Sequence, residues 1–325
     1  MINITQGIEG DDIGYHLSLL NSDINNISRD CYFFPLNNHY NLHNDAWLEQ
    51  ATQTAQAHKT VIFYDLVNTS DGDHRRFCKF IAEFDHTNKI YLTVNQSSNL
   101  YLENVKIIAW DFMWNRIKAY YTESIPGNLF LHHYMQGKYQ LNKLDFTSGR
   151  SKTFLSLTGR EYGYRTKLYE FVKNYNGYVS NRSRGITLEQ TTINGAFVPV
   201  PDKFYLDSYI SIYVESNSLE TDLIHITEKT FEPLLKGHII LPFSNPGTIQ
   251  RLQNMGFQLP NFVDYSFDTI KDPEKRFQAV TEEFKRLIMQ NLPKLYLKNK
   301  NIFIHNQQCI NTIKYDNRIL EIFNV

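Results

Sequence analysis

The chain has little cysteine, almost no net charge and no long apolar run. Its three cysteines, Cys31, Cys78 and Cys309, are an odd number without metal-ligand spacing. That argues against a disulfide framework or a zinc site, and for three structural thiols in a reducing compartment. The formal net charge is −1, so there is no broad basic surface and no sign of non-specific nucleic-acid binding. No stretch approaches the roughly 20 apolar residues that span a bilayer. Met1-Ile2-Asn3-Ile4 leads into polar, acidic sequence without a secretory pattern. The expectation is a soluble cytoplasmic protein with no membrane span. Internal repeats and low-complexity tracts are missing too. Gly7, Gly10 and Gly14 surround Asp11-Asp12 but follow no clear strand, so they form no dinucleotide fingerprint.

What is present is enough for packed cores. A chain of 325 residues with 42% hydrophobic content suits two domains of ordinary size. Up to about residue 50 the pattern is irregular and rich in Asn and Asp, with a helix expected near Asp11-Asp12. Strands then read at 60–67, 89–94 and 105–109, with helices at 75–84 and 114–121. Residues 127–149 are polar and glycine-punctuated, the best place for a boundary. A second alternating series follows: strand 152–157, helix 165–175, strand 209–215, then a helix from Pro273 capped by Asp272. Alternation of this kind predicts βαβ units and parallel sheets, with ligands at the carboxyl ends of strands.

The densest stretch is 224–257. Thr227 is placed to cap a short helix that Gly237 ends, and residues 238–243 read as a strand buried on both faces. Asn245 is placed to cap the next helix with Pro246 at its first position, and Gly256 closes it. Within the first helix, Glu228 favours the macrodipole but Lys229 opposes it. Taken alone, Lys229 is most simply a solvated surface charge. An anion at that helix end would give it a reason to be there. Arg165, which opens the helix after strand 152–157, and Glu215, which ends strand 209–215, fall at equivalent positions. Cations and carboxylates on one sheet edge suit a ligand with a diphosphate and a ribose.

The ordered segments TFLSLTGREYGYRTKLYEFV, SYISIYVESN and HITEKTFEPLLKGHIILPF resemble the donor half of the α-1,3-fucosyltransferases and their relatives, over about residues 150–290. Thr227-Glu228-Lys229 matches the family's Thr-Glu-Lys intact. The Glu-Asn-Ser element departs, appearing as Glu215-Ser216-Asn217 with Ser and Asn transposed. The resemblance implies an α/β fold of GT-B type, two Rossmann-like domains whose parallel sheets face a central cleft. Residues 1–148 would be the acceptor domain and 149–290 the donor domain, with 291–325 a helical tail packing back on the first.

The implied activity moves a sugar from a nucleoside-diphosphate sugar, GDP- or UDP-linked, to an acceptor hydroxyl, with a glycan-type acceptor. Inversion without a metal or other cofactor is the implied chemistry. Arg165 and Lys229 would hold the diphosphate, with Arg160 behind them, and Thr227 would belong to the same donor site. Glu228 would bind the ribose, and Glu215 would lie against the donor sugar or nucleoside. An inverting enzyme needs a base on the acceptor hydroxyl. Asp65 is the first choice and Asp11 the next, ahead of Asp12 and Asp111, although a turn or cap residue is the simpler reading of Asp65. Two alternatives stay open: glycosylation of hydroxylated bases in modified DNA, and a non-catalytic nucleotide- or sugar-binding protein. Asp71-Gly72-Asp73 also fits an Asp-x-Asp element for a divalent ion, but a turn and cap before a helix is the simpler reading.

Overall fold

The computed structural model describes residues 31–36, 45–65, 71–93, 101–109, 111–122, 140–159, 161–188, 200–215 and 224–318. The chain divides into two compact units. Among the described residues the first holds those up to Arg116 and 315–318, and the second runs from Ile117 to Lys314. The boundary therefore falls earlier than residue 148.

The first unit contains β1 (Cys31–Pro35), α1 (Asp45–Gln56), β2 (Thr60–Asp65), α2 (Asp71–Glu83), β3 (Lys89–Thr93), β4 (Val105–Ala109) and the start of α3 (Phe112–Thr122). Its four strands are parallel and lie in the order β1-β2-β3-β4. Phe34, Val61, Phe63 and Tyr91 pack on one face against Ala51 and Ala55 of α1 and Phe77 and Ile81 of α2. The chain up to about residue 50 was expected to be irregular, yet it contains a strand at 31–35 and most of a helix begun at Asp45. The signal was the short run Tyr32-Phe33-Phe34. Pro35 obscured it, although a residue without an N–H is tolerated on an edge strand, which β1 is. The helix expected near Asp11-Asp12 lies outside the described residues.

The second unit contains β5 (Lys152–Thr158), α4 (Tyr164–Val172), β6 (Gly177–Asn181), α5 (Asp202–Leu206), β7 (Ser208–Val214), α6 (Glu228–Leu235), β8 (Ile239–Phe243), α7 (Thr248–Met255), α8 (Pro273–Ile288), α9 (Leu292–Lys298) and α10 (Lys300–Thr312). Its sheet is parallel in the order β6-β5-β7-β8. The chain steps from β5 outward to β6, then returns past β5 to β7, so the winding reverses between β5 and β7. Side chains alternate across this sheet. Phe154 and Phe243 meet Phe284, Phe277 and Tyr164 from α8 and α4. On the other face Leu155 meets Phe204 and Tyr205 of α5.

β6 has no counterpart in the expected strands because its first four residues are only half-buried. Gly177 opens it where a Cβ would overlap the Phe154 ring. α6 ends as expected: Gly237 has φ +73°, and the N–H groups of His238 and Gly237 donate to the carbonyls of Pro233 and Leu234. Asp272 caps α8 through the Lys275 N–H, with Pro273 at the first position. Asn245 and Pro246, however, do not start α7. That helix begins at Thr248 after Gly247, and its first N–H groups, on Ile249 and Gln250, donate to the Asp268 carboxylate. A cap supplied by a residue 18 to 19 positions away leaves no local pattern.

The residues after 290 divide between the units. α10 packs against α6 within the second unit. In the first, Arg318 pairs with Asp111 at 3.1 Å, and the Asp111 N–H donates to Asp316 at 2.7 Å.

Candidate functional site

The reversal between β5 and β7 marks where a ligand crevice opens in a parallel sheet, outside the carboxyl ends of the strands. Arg165 sits in the first turn of α4, the helix that follows β5, and Glu215 is the residue after β7. Thr227, Glu228 and Lys229 begin α6, which follows β7 in the chain. The second unit thus brings five of the six expected donor residues to one edge of one sheet. The sixth, Arg160, lies outside the described residues.

Glu215 is 1% exposed, and three hydrogen bonds explain how a carboxylate is tolerated there. Its Oε1 accepts from the Thr227 N–H at 3.1 Å and the Thr230 hydroxyl at 2.7 Å, and its Oε2 accepts from the Thr227 hydroxyl at 2.7 Å. The Tyr213 hydroxyl donates to Thr230 Oγ1 and extends the network. Glu215 therefore ties the end of β7 to the first turn of α6. The Glu215→Ala variant strands that amide and both hydroxyls in a buried setting, at about 1–3 kcal/mol for each group left without a partner. Urea unfolding is expected to show a loss of at least 2 kcal/mol, on that same scale. A midpoint unchanged from the wild type would refute the bracing role.

Thr227 caps α6 as expected, its Oγ1 accepting from the Lys229 N–H at 3.3 Å. That N–H is thereby occupied, so an anion at this end would meet the Lys229 ammonium and the helix dipole rather than this amide. Lys229 Nζ donates to Glu228 Oε1 at 2.8 Å and to Thr227 Oγ1 at 3.2 Å. Its side chain remains 26% exposed. Burial pulls the ammonium pKa down, but the carboxylates of Glu228 and Glu215 outweigh it and the net shift is upward, so the charge is held firmly. Arg165 is close enough to act on the same ammonium with the opposite sign. A small, partly open pocket adjoins Lys229, lined by Leu155 and Leu157 of β5, Tyr213 of β7, Tyr205 and Pro233.

Two residues at this edge escaped the sequence reading. His225 is 5% exposed, and its Nδ1 has no hydrogen-bond partner among the described residues. Burial, followed by the Lys229 charge, pushes its pKa down to about 4, so the ring is neutral at pH 7. A single histidine two residues before a cap carries no pattern of its own. Tyr162 precedes α4 and is 50% exposed, with the Arg165 guanidinium 4.6 Å from its ring centre.

Of the expected catalytic carboxylates, Asp65 and Asp111 belong to the first unit. Asp65 is the last residue of β2, at the carboxyl end of that sheet, in register with Thr93. Asp11 and Asp12 lie outside the described residues. Asp111 is engaged by Arg318. Asp71-Gly72-Asp73 forms the first turn of α2 itself rather than a turn before it. Among the described residues, no group of three or more His, Cys, Asp or Glu is placed to hold a metal ion. Nor is any helix among them long and apolar enough to cross a membrane.

No family model matches this chain, and no curated protein matches it either. Among solved structures it is similar to the crystal structure of an alpha1,3-fucosyltransferase, with 13% identity and a TM-score of 0.43. The match covers 92% of this chain and 77% of that one.

Proposed function

We propose that this chain is a glycosyltransferase that uses a nucleoside-diphosphate sugar, with the donor held by the second unit. The observation that carries the reading is the placement of Arg165 and of Glu228-Lys229 at the carboxyl edge where the β5–β7 winding reverses. The ordered sequence resemblance to the α-1,3-fucosyltransferase donor half supports it from a separate direction.

In this reading Lys229 and Arg165 bind the diphosphate and Glu228 accepts from the ribose hydroxyls. Glu215 holds the start of α6 in position rather than touching the sugar, since its carboxylate already accepts three hydrogen bonds. When the bond at the anomeric carbon breaks, negative charge builds on the departing diphosphate. Fixed cations and the amino end of α6 stabilise that charge without having to reorganise. An acceptor hydroxyl attacks the anomeric carbon and loses its proton to a carboxylate, for which Asp65 is the first candidate. Inversion, a glycan-type acceptor and independence from metal belong to the same proposal.

The experiment is incubation of the full chain with GDP- and UDP-linked sugars, with and without chelator, scored by release of the nucleoside diphosphate. Release from at least one donor that persists in chelator is expected. Tight nucleotide binding without release from any donor would instead identify a binding protein.

A further inference from the structure

The loop between β5 and α4 places an aromatic ring beside the paired cations. Tyr162 keeps half of its surface open to solvent while the Arg165 guanidinium packs 4.6 Å from its ring centre. Arg165 is itself buried and acts electrostatically on Lys229. The ring and the guanidinium are therefore in contact at the carboxyl edge of the sheet, and the Lys229 ammonium lies within electrostatic reach of that guanidinium. The loop is braced. The Glu161 N–H donates to Ser183 Oγ at 3.0 Å, and Arg184 Nε reaches both Glu161 oxygens at 2.8 and 2.9 Å. Hydrogen bonding to Arg184 holds the Glu161 carboxyl below its usual range, so this brace is ionised at neutral pH.

A second observation marks the same corner. Asn181, at the carboxyl end of β6, is fully buried, and its amide oxygen has no hydrogen-bond partner among the described residues. Hydrogen bonding from its side chain helps hold the Glu161 carboxyl low. Buried amide atoms are nearly always paired, and an oxygen left without a donor calls for an explanation, such as a ligand group. An amide oxygen accepts, and the edge of a nucleobase presents N–H donors in return.

We propose that Tyr162 is the stacking platform for the base of the donor nucleotide, and that the corner it shares with Asn181 is the base-recognition end of the site. This rests on the nucleotide-sugar reading above. An aromatic plane accepts any base by its π-face, and the adjacent guanidinium adds a cation against the same ring. The phosphates then fall toward Arg165 and Lys229, and base and diphosphate are gripped by separate groups.

That separation makes the proposal testable by calorimetric titration of the full chain. The ligands are GDP, UDP and inorganic pyrophosphate, which carries the phosphates without a base. Tyr162→Ala is expected to weaken GDP and UDP about tenfold, the loss of one stacked base. Pyrophosphate affinity is expected to stay at the wild-type level, and Tyr162→Phe to restore nucleotide binding. Equal losses for nucleotides and pyrophosphate would show that Tyr162 acts only through Arg165, and would overturn the platform. Unchanged nucleotide affinity in Tyr162→Ala would overturn it too, while leaving the nucleotide-sugar reading intact. A wild-type chain that binds none of the three ligands would remove that reading and this one together.

Discussion

Lys229→Ala is expected to lower kcat/KM for transfer from the nucleotide sugar by about a hundredfold to a thousandfold, the usual consequence of removing one preorganised group from developing charge. The variant removes the one ammonium in the first turn of α6, where the helix dipole has the same sign and adds to it. Because the diphosphate carries charge before and after bond breaking, part of the loss appears as weaker binding of the nucleoside diphosphate product. Pyrophosphate binding falls with it. Stability moves little. The Lys229 side chain is partly exposed, and such ion pairs contribute about 1 kcal/mol or less. Lys229→Ala is thus distinguished from Glu215→Ala, in which the buried brace fails and stability falls. A Lys229→Ala protein that melts earlier yet binds nucleotide as tightly as the wild type would show that Lys229 is structural.

Acid weakens the second unit well above the ordinary carboxylate range. His238 precedes β8 with its ring wholly enclosed. Its Nε2 donates to the Tyr205 carbonyl at 2.7 Å, since a carbonyl can only accept, and its Nδ1 therefore accepts from the Ser211 hydroxyl at 2.8 Å. Burial, then the charge of Arg150, pushes the His238 pKa down to about 3. His225 is pushed down to about 4. Both rings are neutral in the folded protein and take up protons near pH 6.5 once unfolded. The unfolded state therefore binds more protons across the interval from 6.5 down to about 4, and stability falls as the pH drops through it.

With two such groups the loss between pH 7.5 and pH 5 amounts to about 4 kcal/mol, each ring contributing up to about 1.4 kcal/mol per pH unit. Glu232 works in the opposite direction, because burial raises its pKa and its protonation as the pH falls favours the folded state. Urea midpoints measured from pH 7.5 to pH 5 test this directly. His225→Asn is expected to reduce the slope by about half, one of the two protons having been removed. Midpoints that stay level across that range would show that neither ring is held neutral.

The alternation of strands and helices was legible because each half is built from short βαβ steps whose apolar runs are bounded by turn residues. Thr227, Gly237, Asp272 and Pro273 were legible for a related reason. A cap, a left-handed C-terminal position and a first-turn proline are each set by the few residues around them. The α7 start was not legible, because its cap is Asp268 and the bond closes across a loop. β1 and β6 were missed as edge strands, one broken by Pro35 and the other only half-buried.

The site divides along the same line. The sequence by itself determined that the second half carries cations and carboxylates at helix starts and strand ends, and in what order. Only the tertiary structure decided that β6 steps outward and β7 returns past β5, which puts Arg165 and Lys229 at a winding reversal. It also decided that Glu215 is consumed by Thr227 and Thr230, because the fold carries the end of β7 against the first turn of α6. His225 and Tyr162 acquire meaning in the same way. A histidine becomes unusual only once it is enclosed beside an ammonium, and a tyrosine only once a guanidinium is packed on its ring. Local chemistry is written in neighbouring residues, whereas burial and charge proximity are properties of segments brought together from far apart in the chain.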